Sequence, residues 1–338
     1  MDTIEKILKY IRIKRAVSGK EIADYLGISR QAVNKHLKAL IQRGKVIKEG
    51  TTRGAVYKIA GKIKPPKRLR KKYLLENLEE DKVFKEVELL LNLRKSLRQN
   101  VYDIMSYAFT EVLNNAIEHS QSKNCEVVVA LDQYTCNFTI RDNGIGIFYS
   151  IYTKFNLPDE ASAIGELIKG KTTTMKERHS GEGVFFISKS GDDIVFRSHK
   201  VNLIFDNIKR DVFVQERKFQ KGTEVAFSIS RASKRELEKI FKKYAPEEFD
   251  YNFEKTRVFV KLFQEEYISR SEAKRMLSGL DKFKEIILDF KGVKTIGQGF
   301  VDEIFRVFQR QHPDIIIKTE NLNSHVAMMI KHVVDNKI

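Results

Sequence analysis

The chain has 338 residues, with 62 Lys and Arg against 45 Asp and Glu, and a formal charge of +17. That length fits three domains of ordinary size, each able to bury a core. No apolar run approaches membrane length and no signal-peptide apolar region opens the chain; Cys125 and Cys136 lack metal-ligand spacing. No membrane span, disulfide framework or zinc site is suggested, and a cytoplasmic protein with two reduced thiols is expected.

The charge is uneven. Residues 1–72 hold 21 Lys and Arg against 5 Asp and Glu, a balance of +16, which leaves the rest of the chain at +1. Clustered cations suit a polyanion, because counterions are released when they meet phosphates. An anionic membrane would attract the same charge, so the choice of partner rests on pattern.

Ile4 to Ile13 reads as an opening helix. Ser18 to Gly27 follows with a capping-box start, Ser18 and Glu21 standing three apart, and a glycine stop. Ser29 to Ile41 then reads as a helix with Val33, Leu37, Leu40 and Ile41 as its buried stripe. Lys45 to Lys48 and Ala55 to Ile59, around Gly50-Thr51-Thr52-Arg53-Gly54, read as a hairpin wing. Residues 1–61 thus resemble a bacterial winged-helix DNA-binding domain. The resemblance implies DNA as partner, with Ser29, Arg30, Gln31, Asn34, Lys35 and Lys38 toward the major groove and Arg53 on the wing. A small helical docking domain kept soluble by its charges is the alternative.

Residues 62–72, with Pro65-Pro66 and then Lys67-Arg68-Leu69-Arg70-Lys71-Lys72, read as a stiff basic linker whose charges could follow a DNA backbone. Tyr73 to Leu97 is Leu-rich and reads as helical, either pairing with a second copy in a homodimer or packing on the next domain.

Two polar clusters come next. Glu111, Asn115 and His119 recur at four-residue intervals, which places a carboxylate, an amide and an imidazole on one helical face. Cys125 to Leu131 and Thr135 to Ile140 read as a hairpin that empties into Asp142-Asn143-Gly144-Ile145-Gly146-Ile147, where the glycines permit close backbone approach to a ligand. The clusters resemble the N box and first glycine box of the Bergerat-type (GHKL) ATP-binding fold, shared by histidine kinases, DNA gyrase and the anti-sigma serine kinases. Residues 73–250 would then form an α/β sandwich taking ATP and Mg²⁺. The resemblance implies that Asn115 holds the metal against the triphosphate, Asp142 receives the adenine amino group and Glu111 is the base that orients an attacking oxygen. His119 matches a position often basic or aromatic in the family.

Gly181-Glu182-Gly183-Val184 stands where a second glycine box precedes a helix, and Lys221 to Phe227 resembles the later Gly-Thr strand, with Thr223 near adenine. Residues 148–180 would form a lid whose Lys171, Thr172, Thr173, Thr174 and Arg178 meet the phosphates. Gly165 to Thr172 also satisfies G-x-x-x-x-G-K-[ST]. Asp159 to Ile168 itself reads as a helix, however, with Ala161, Ile164, Leu167 and Ile168 as its stripe, whereas a P-loop must follow a buried strand.

Residues 251–338 alternate: strands at Arg257–Phe263, Glu285–Phe290 and Ile315–Lys318, helices at Ser271–Leu280, Gly299–Gln309 and Ser324–Val334. That alternation predicts a small sheet of parallel character. Leu288 to Val293 through Val301-Asp302-Glu303 resembles a STAS-like domain, which implies a protein partner. The stretch that carries a phosphorylated serine in the anti-anti-sigma proteins is here Thr295 to Phe300, without serine; Thr295 is either an acceptor or structural. No histidine lies between His36 and His119, which removes a two-component sensor kinase.

The whole reads as a multidomain α/β and α+β chain: a winged helix-turn-helix, a Bergerat-type sandwich and a STAS-like domain. An ATP-responsive DNA-binding regulator, with slow turnover if any, leads. An anti-sigma-type protein serine/threonine kinase acting on a separate protein and a scaffold with a non-catalytic ATP pocket are the alternatives.

Overall fold

The computed structural model describes residues 2–51, 54–61, 65–157, 160–171, 182–262 and 269–335. At the amino end, α1 (Thr3–Lys14), α2 (Gly19–Leu26) and α3 (Arg30–Gln42) enclose Ile7, Ile11, Ile22, Val33, Leu37 and Leu40, each 1 % exposed or less. The capping box forms as expected: Glu21 N donates to Ser18 Oγ at 3.2 Å and Ser18 N donates to Glu21 Oε2 at 2.8 Å. The short β1 (Val17–Ser18) and the hairpin of β2 (Val46–Glu49) and β3 (Val56–Ile59) make an antiparallel sheet in the order β1-β3-β2. This is the winged layout.

The expected linker ends early. From Lys67 it is β4 (Lys67–Leu74), paired antiparallel with β5 (Asn124–Leu131) from Lys67↔Leu131 to Leu74↔Asn124. The cause is a period-two pattern beneath the charge run: Leu69 and Tyr73 share one face, where both pack on the domain core. Accordingly, the expected helix from Tyr73 begins only at α4 (Glu80–Leu91), with α5 (Leu93–Ser96) behind it.

β6 (Thr135–Asp142), β7 (Asp193–Asp206) and β8 (Asp211–Ser230) complete a five-stranded antiparallel sheet, β4-β5-β6-β8-β7. One face is apolar because strand residues alternate: Val127, Val129, Phe138, Ile140 and Phe227 pack under α4 and α6 (Gln99–His119). Phe138 stacks on Phe227 at 5.1 Å and meets Phe109 of α6 edge-on at 5.5 Å. The region after Gly146 forms α7 (Ile147–Lys154) and α8 (Glu160–Lys169), followed by α9 (Gly183–Ser190) and, past the sheet, α10 (Leu237–Tyr244). Gly165 therefore lies inside a helix, and the P-loop pattern is a coincidence of letters.

The last domain has the expected parallel sheet, order β11-β10-β9, built from β9 (Lys255–Phe259), β10 (Glu285–Asp289) and β11 (Ile316–Glu320). α11 (Arg270–Leu277), α12 (Gln298–Asp302), which runs through a π-helical segment (Glu303–Phe308) into α13 (Gln309–Gln311), and α14 (Ser324–Asp335) supply its helices. β10 is buried throughout, as a central parallel strand must be, and its charged ends are paired: Glu285 with Lys255, Asp289 with Arg257.

The domains touch through charge and rings. Lys14 bridges Asp193 and, at 3.0 Å, Asp206; Arg15 binds Asp132 and donates to Thr135 Oγ1 at 2.8 Å. Phe185 and Phe186 of α9 pack with Phe253 and Phe283 of the carboxyl-terminal domain. No helix among the described residues is long and apolar enough to cross a membrane.

Both cysteines are buried, and burial pushes each thiol up to about 12. Since the thiolate is the reactive form, iodoacetamide at pH 8 is expected to leave both unmodified until denaturant is added. Intact-mass measurement checks this, and an adduct on the folded chain would contradict it.

Candidate nucleotide site and DNA-facing helix

α6 projects its four-residue series from the helical side of the sheet, and β6 delivers Asp142 at its end. They meet because the glycine turn is pressed onto the end of α6: Ile145 N donates to Ser120 O at 2.8 Å, and a Cβ on Gly144 would lie 1.8 Å from the same oxygen. Only glycine fits there. Between the two elements opens a cavity of about 320 Å³, within the range of small-molecule sites. Glu111, Asn115, His119, Asp142, Gly146, Gly183 and Thr223 line it together, with Ile140, Ile147, Ile151 and Val225 as apolar wall.

Asp142 is 4 % exposed. Its Oδ1 accepts from Gly144 N at 2.8 Å and Thr223 N at 3.1 Å; burial raises the carboxyl pKa, and these bonds oppose the rise. Thr223 Oγ1 in turn accepts from Ile147 N at 2.9 Å, tying β8 to the start of α7. The Asn115 amide makes no hydrogen bond among the described residues. Glu111 lies against the first turn of α9, since a Cβ on Gly183 would come 2.2 Å from its Oε2. A carboxylate, a cavity-facing amide and a helix N-terminus thus converge, a combination that suits a cation held against an anion.

Some expected members stand elsewhere. Gly144 supports the cavity from behind without lining it. Lys171 does not line the cavity either: it donates to Lys282 O at 2.9 Å, pairs with Glu254 at 3.1 Å and lies 4.9 Å over the Phe283 ring, all on the carboxyl-terminal domain. Those partners offer a cation more than open solvent does, which is why it leaves the site. Thr172, Thr173, Thr174, Arg178, Gly181 and Arg53 fall outside the described residues.

Other lining residues escaped the sequence reading. Tyr107 is one four-residue step before Glu111 and extends the same face, so its signal was present; burial, and then Glu111 and Glu182, raise its hydroxyl pKa. Glu182 stands between the glycines of the second box. Phe241 comes from α10, packs edge-on to Tyr107 at 5.4 Å and had no local signature.

On α3, Arg30, Gln31, Asn34, Lys35 and Lys38 are all exposed, as is the N-cap Ser29, whose Oγ accepts from Ala32 N at 3.2 Å. Arg30 and Asn34 also border a shallow cleft with Lys20 of α2 and Ala55 and Tyr57 by the wing.

Fold and surface together define a multidomain α/β chain with a helix-turn-helix at its amino end. Residues 3–55 match the family model of an HTH domain, and residues 272–327 match that of a STAS-like domain of unknown function (DUF4325). No curated protein matches the chain. The helix-turn-helix domain supports a DNA-binding regulator.

Proposed function

We propose that the chain is an ATP-responsive DNA-binding regulator whose middle domain is a Bergerat-type nucleotide site. The observation that carries this reading is the convergence of Asn115 and Asp142, from separate elements, on one cavity. Asp142 Oδ1 is engaged by backbone, which leaves Oδ2 as acceptor for the adenine amino group. Asn115 would hold Mg²⁺ against the triphosphate, and bound Mg²⁺ would offset phosphate charge. Glu111, beside Gly183, would orient an attacking water.

Responsiveness requires that nucleotide bind two arrangements with different affinity. The contacts for this are direct. Leu167 of α8 and Phe186 of α9 line the cavity; Phe186 also packs into the carboxyl-terminal core, and Lys169, at the end of α8, donates to Ser278 O at 2.7 Å. The β7–β8 turn reaches both outer domains: Lys209 lies 5.8 Å over Tyr10, and Lys291 donates to Lys209 O at 2.8 Å.

A mobility-shift titration at fixed salt, with and without Mg-ATP, tests the proposal. Wild type is expected to change DNA affinity by about 5-fold or more on adding Mg-ATP, the low end of allosteric coupling, and Asn115→Ala to show no change. Identical wild-type affinity in both conditions would remove the ATP response.

A protein kinase acting on a separate protein is the second reading, favoured by an open cleft that shares Glu182, Phe186 and Phe241 with the cavity. That cleft would admit a hydroxyl-bearing segment toward Glu111. Label from the γ-phosphate recovered only as free phosphate would count against it.

A further inference from the structure

We infer that β4 is a second DNA-contacting element, which follows the phosphate backbone outside the reach of the helix-turn-helix. The inference rests on the DNA-binding reading above. β4 is the outermost strand of the large sheet, so one of its edges carries no partner strand in the described fold. Five of its eight residues are Lys or Arg and none is acidic. All five are exposed.

Two of them are already neutralised, Arg70 by Glu126 at 2.9 Å and Lys71 by Glu86 at 2.6 Å. Lys67, Arg68 and Lys72 make no ion pair among the described residues. Leaving three cations of one eight-residue strand unpaired raises self-repulsion, which an external polyanion would relieve. Alternate residues on a strand advance about 6.8 Å. Arg68, Arg70 and Lys72 share one face, so their spacing is about two phosphate steps of 3.4 Å along a duplex axis.

Position favours DNA over other polyanions. Lys67 pairs with Leu131, and the next residue, Asp132, is where Arg15 of the helix-turn-helix domain docks. The basic strand thus starts beside that domain and leads away from it. A duplex bound by that domain and extended along this strand would bring its phosphates beside these cations.

The test is the salt dependence of binding to a random-sequence duplex longer than the helix-turn-helix footprint. It compares the full chain with a Lys67→Gln, Arg68→Gln, Lys72→Gln variant and with Arg30→Ala. Each phosphate contact contributes about 0.9 to the slope of log K against log salt, so the triple variant is expected to flatten it by about 2 to 3. Its preference among sequences should be unchanged, because backbone contacts carry no base information, whereas Arg30→Ala should alter that preference. A thermal melt of each variant serves as the folding control. An unchanged slope overturns the inference. So does an unchanged slope with a new dimer, which would mean that the charges only guard the strand edge. If wild type retards no duplex, the DNA-binding reading itself fails and this inference falls with it.

Discussion

Asp142→Asn is expected to weaken ATP binding by about 10- to 100-fold while leaving the domain folded. The amide keeps a carbonyl oxygen where Oδ1 now accepts from Gly144 N and Thr223 N, so the turn retains both hydrogen bonds. Replacing Oδ2 with an NH₂ group turns the remaining acceptor of this cavity-lining side chain into a donor. Donor would then meet donor at the adenine amino group, forfeiting a charge-assisted hydrogen bond of about 1.5–3 kcal/mol. Stability should not fall, because burial already opposes the ionised carboxylate and asparagine removes that charge. Calorimetry of ATP binding with a parallel thermal melt separates the two effects. An unchanged Kd with intact folding would show that Asp142 does not read the purine.

Gly144→Ala is expected to damage the site from behind. Its Cβ would stand 1.8 Å from Ser120 O and 2.6 Å from Ser120 C, both backbone atoms, so no side-chain rotation can relieve the overlap. Either the turn or the end of α6 must shift. Overpacking of this kind costs about 3 kcal/mol or more, at the upper end of its usual range. For a domain of this size that lowers the melting temperature by about 6–12 °C. The same shift separates Asp142 from Asn115, so ATP binding should disappear. DNA binding by the helix-turn-helix domain should persist, since that domain has its own core. Gly54→Ala is the control: nothing lies within 4 Å of its added Cβ, and no change is expected. A Gly144→Ala chain that melts like wild type and binds ATP equally well would refute the packing argument.

Legibility followed the range of the forces involved. The capping box at Ser18 and Glu21 and the alternation along β5 and β6 are local rules, and both stood in the sequence as they stand in the fold. The P-loop lookalike fails for a local reason too, the apolar stripe of Ile164, Leu167 and Ile168, all buried in α8. β4 reads as a linker because its cations outnumber the Leu69 and Tyr73 that orient it, and charge runs read as solvated linkers. A strand at a sheet edge can carry such a run, since one of its faces and one of its edges stay wet.

The candidate site divides along the same line. Tyr107, Glu111, Asn115 and His119 share a face by helical periodicity alone, and Asp142 follows its strand by chain order. Whether these groups meet is a matter of packing, because it depends on Ser120 accepting from Ile145 and on a missing side chain at Gly144. Lys171 makes the converse case: next to the cavity by sequence, it is drawn off by Glu254 and Phe283, more than 80 residues later in the chain. Periodicity and residue chemistry named the candidate groups, since both act within a few residues. Contacts between distant segments selected which of them share a cavity, because such contacts exist only once the sheet and its helices have closed.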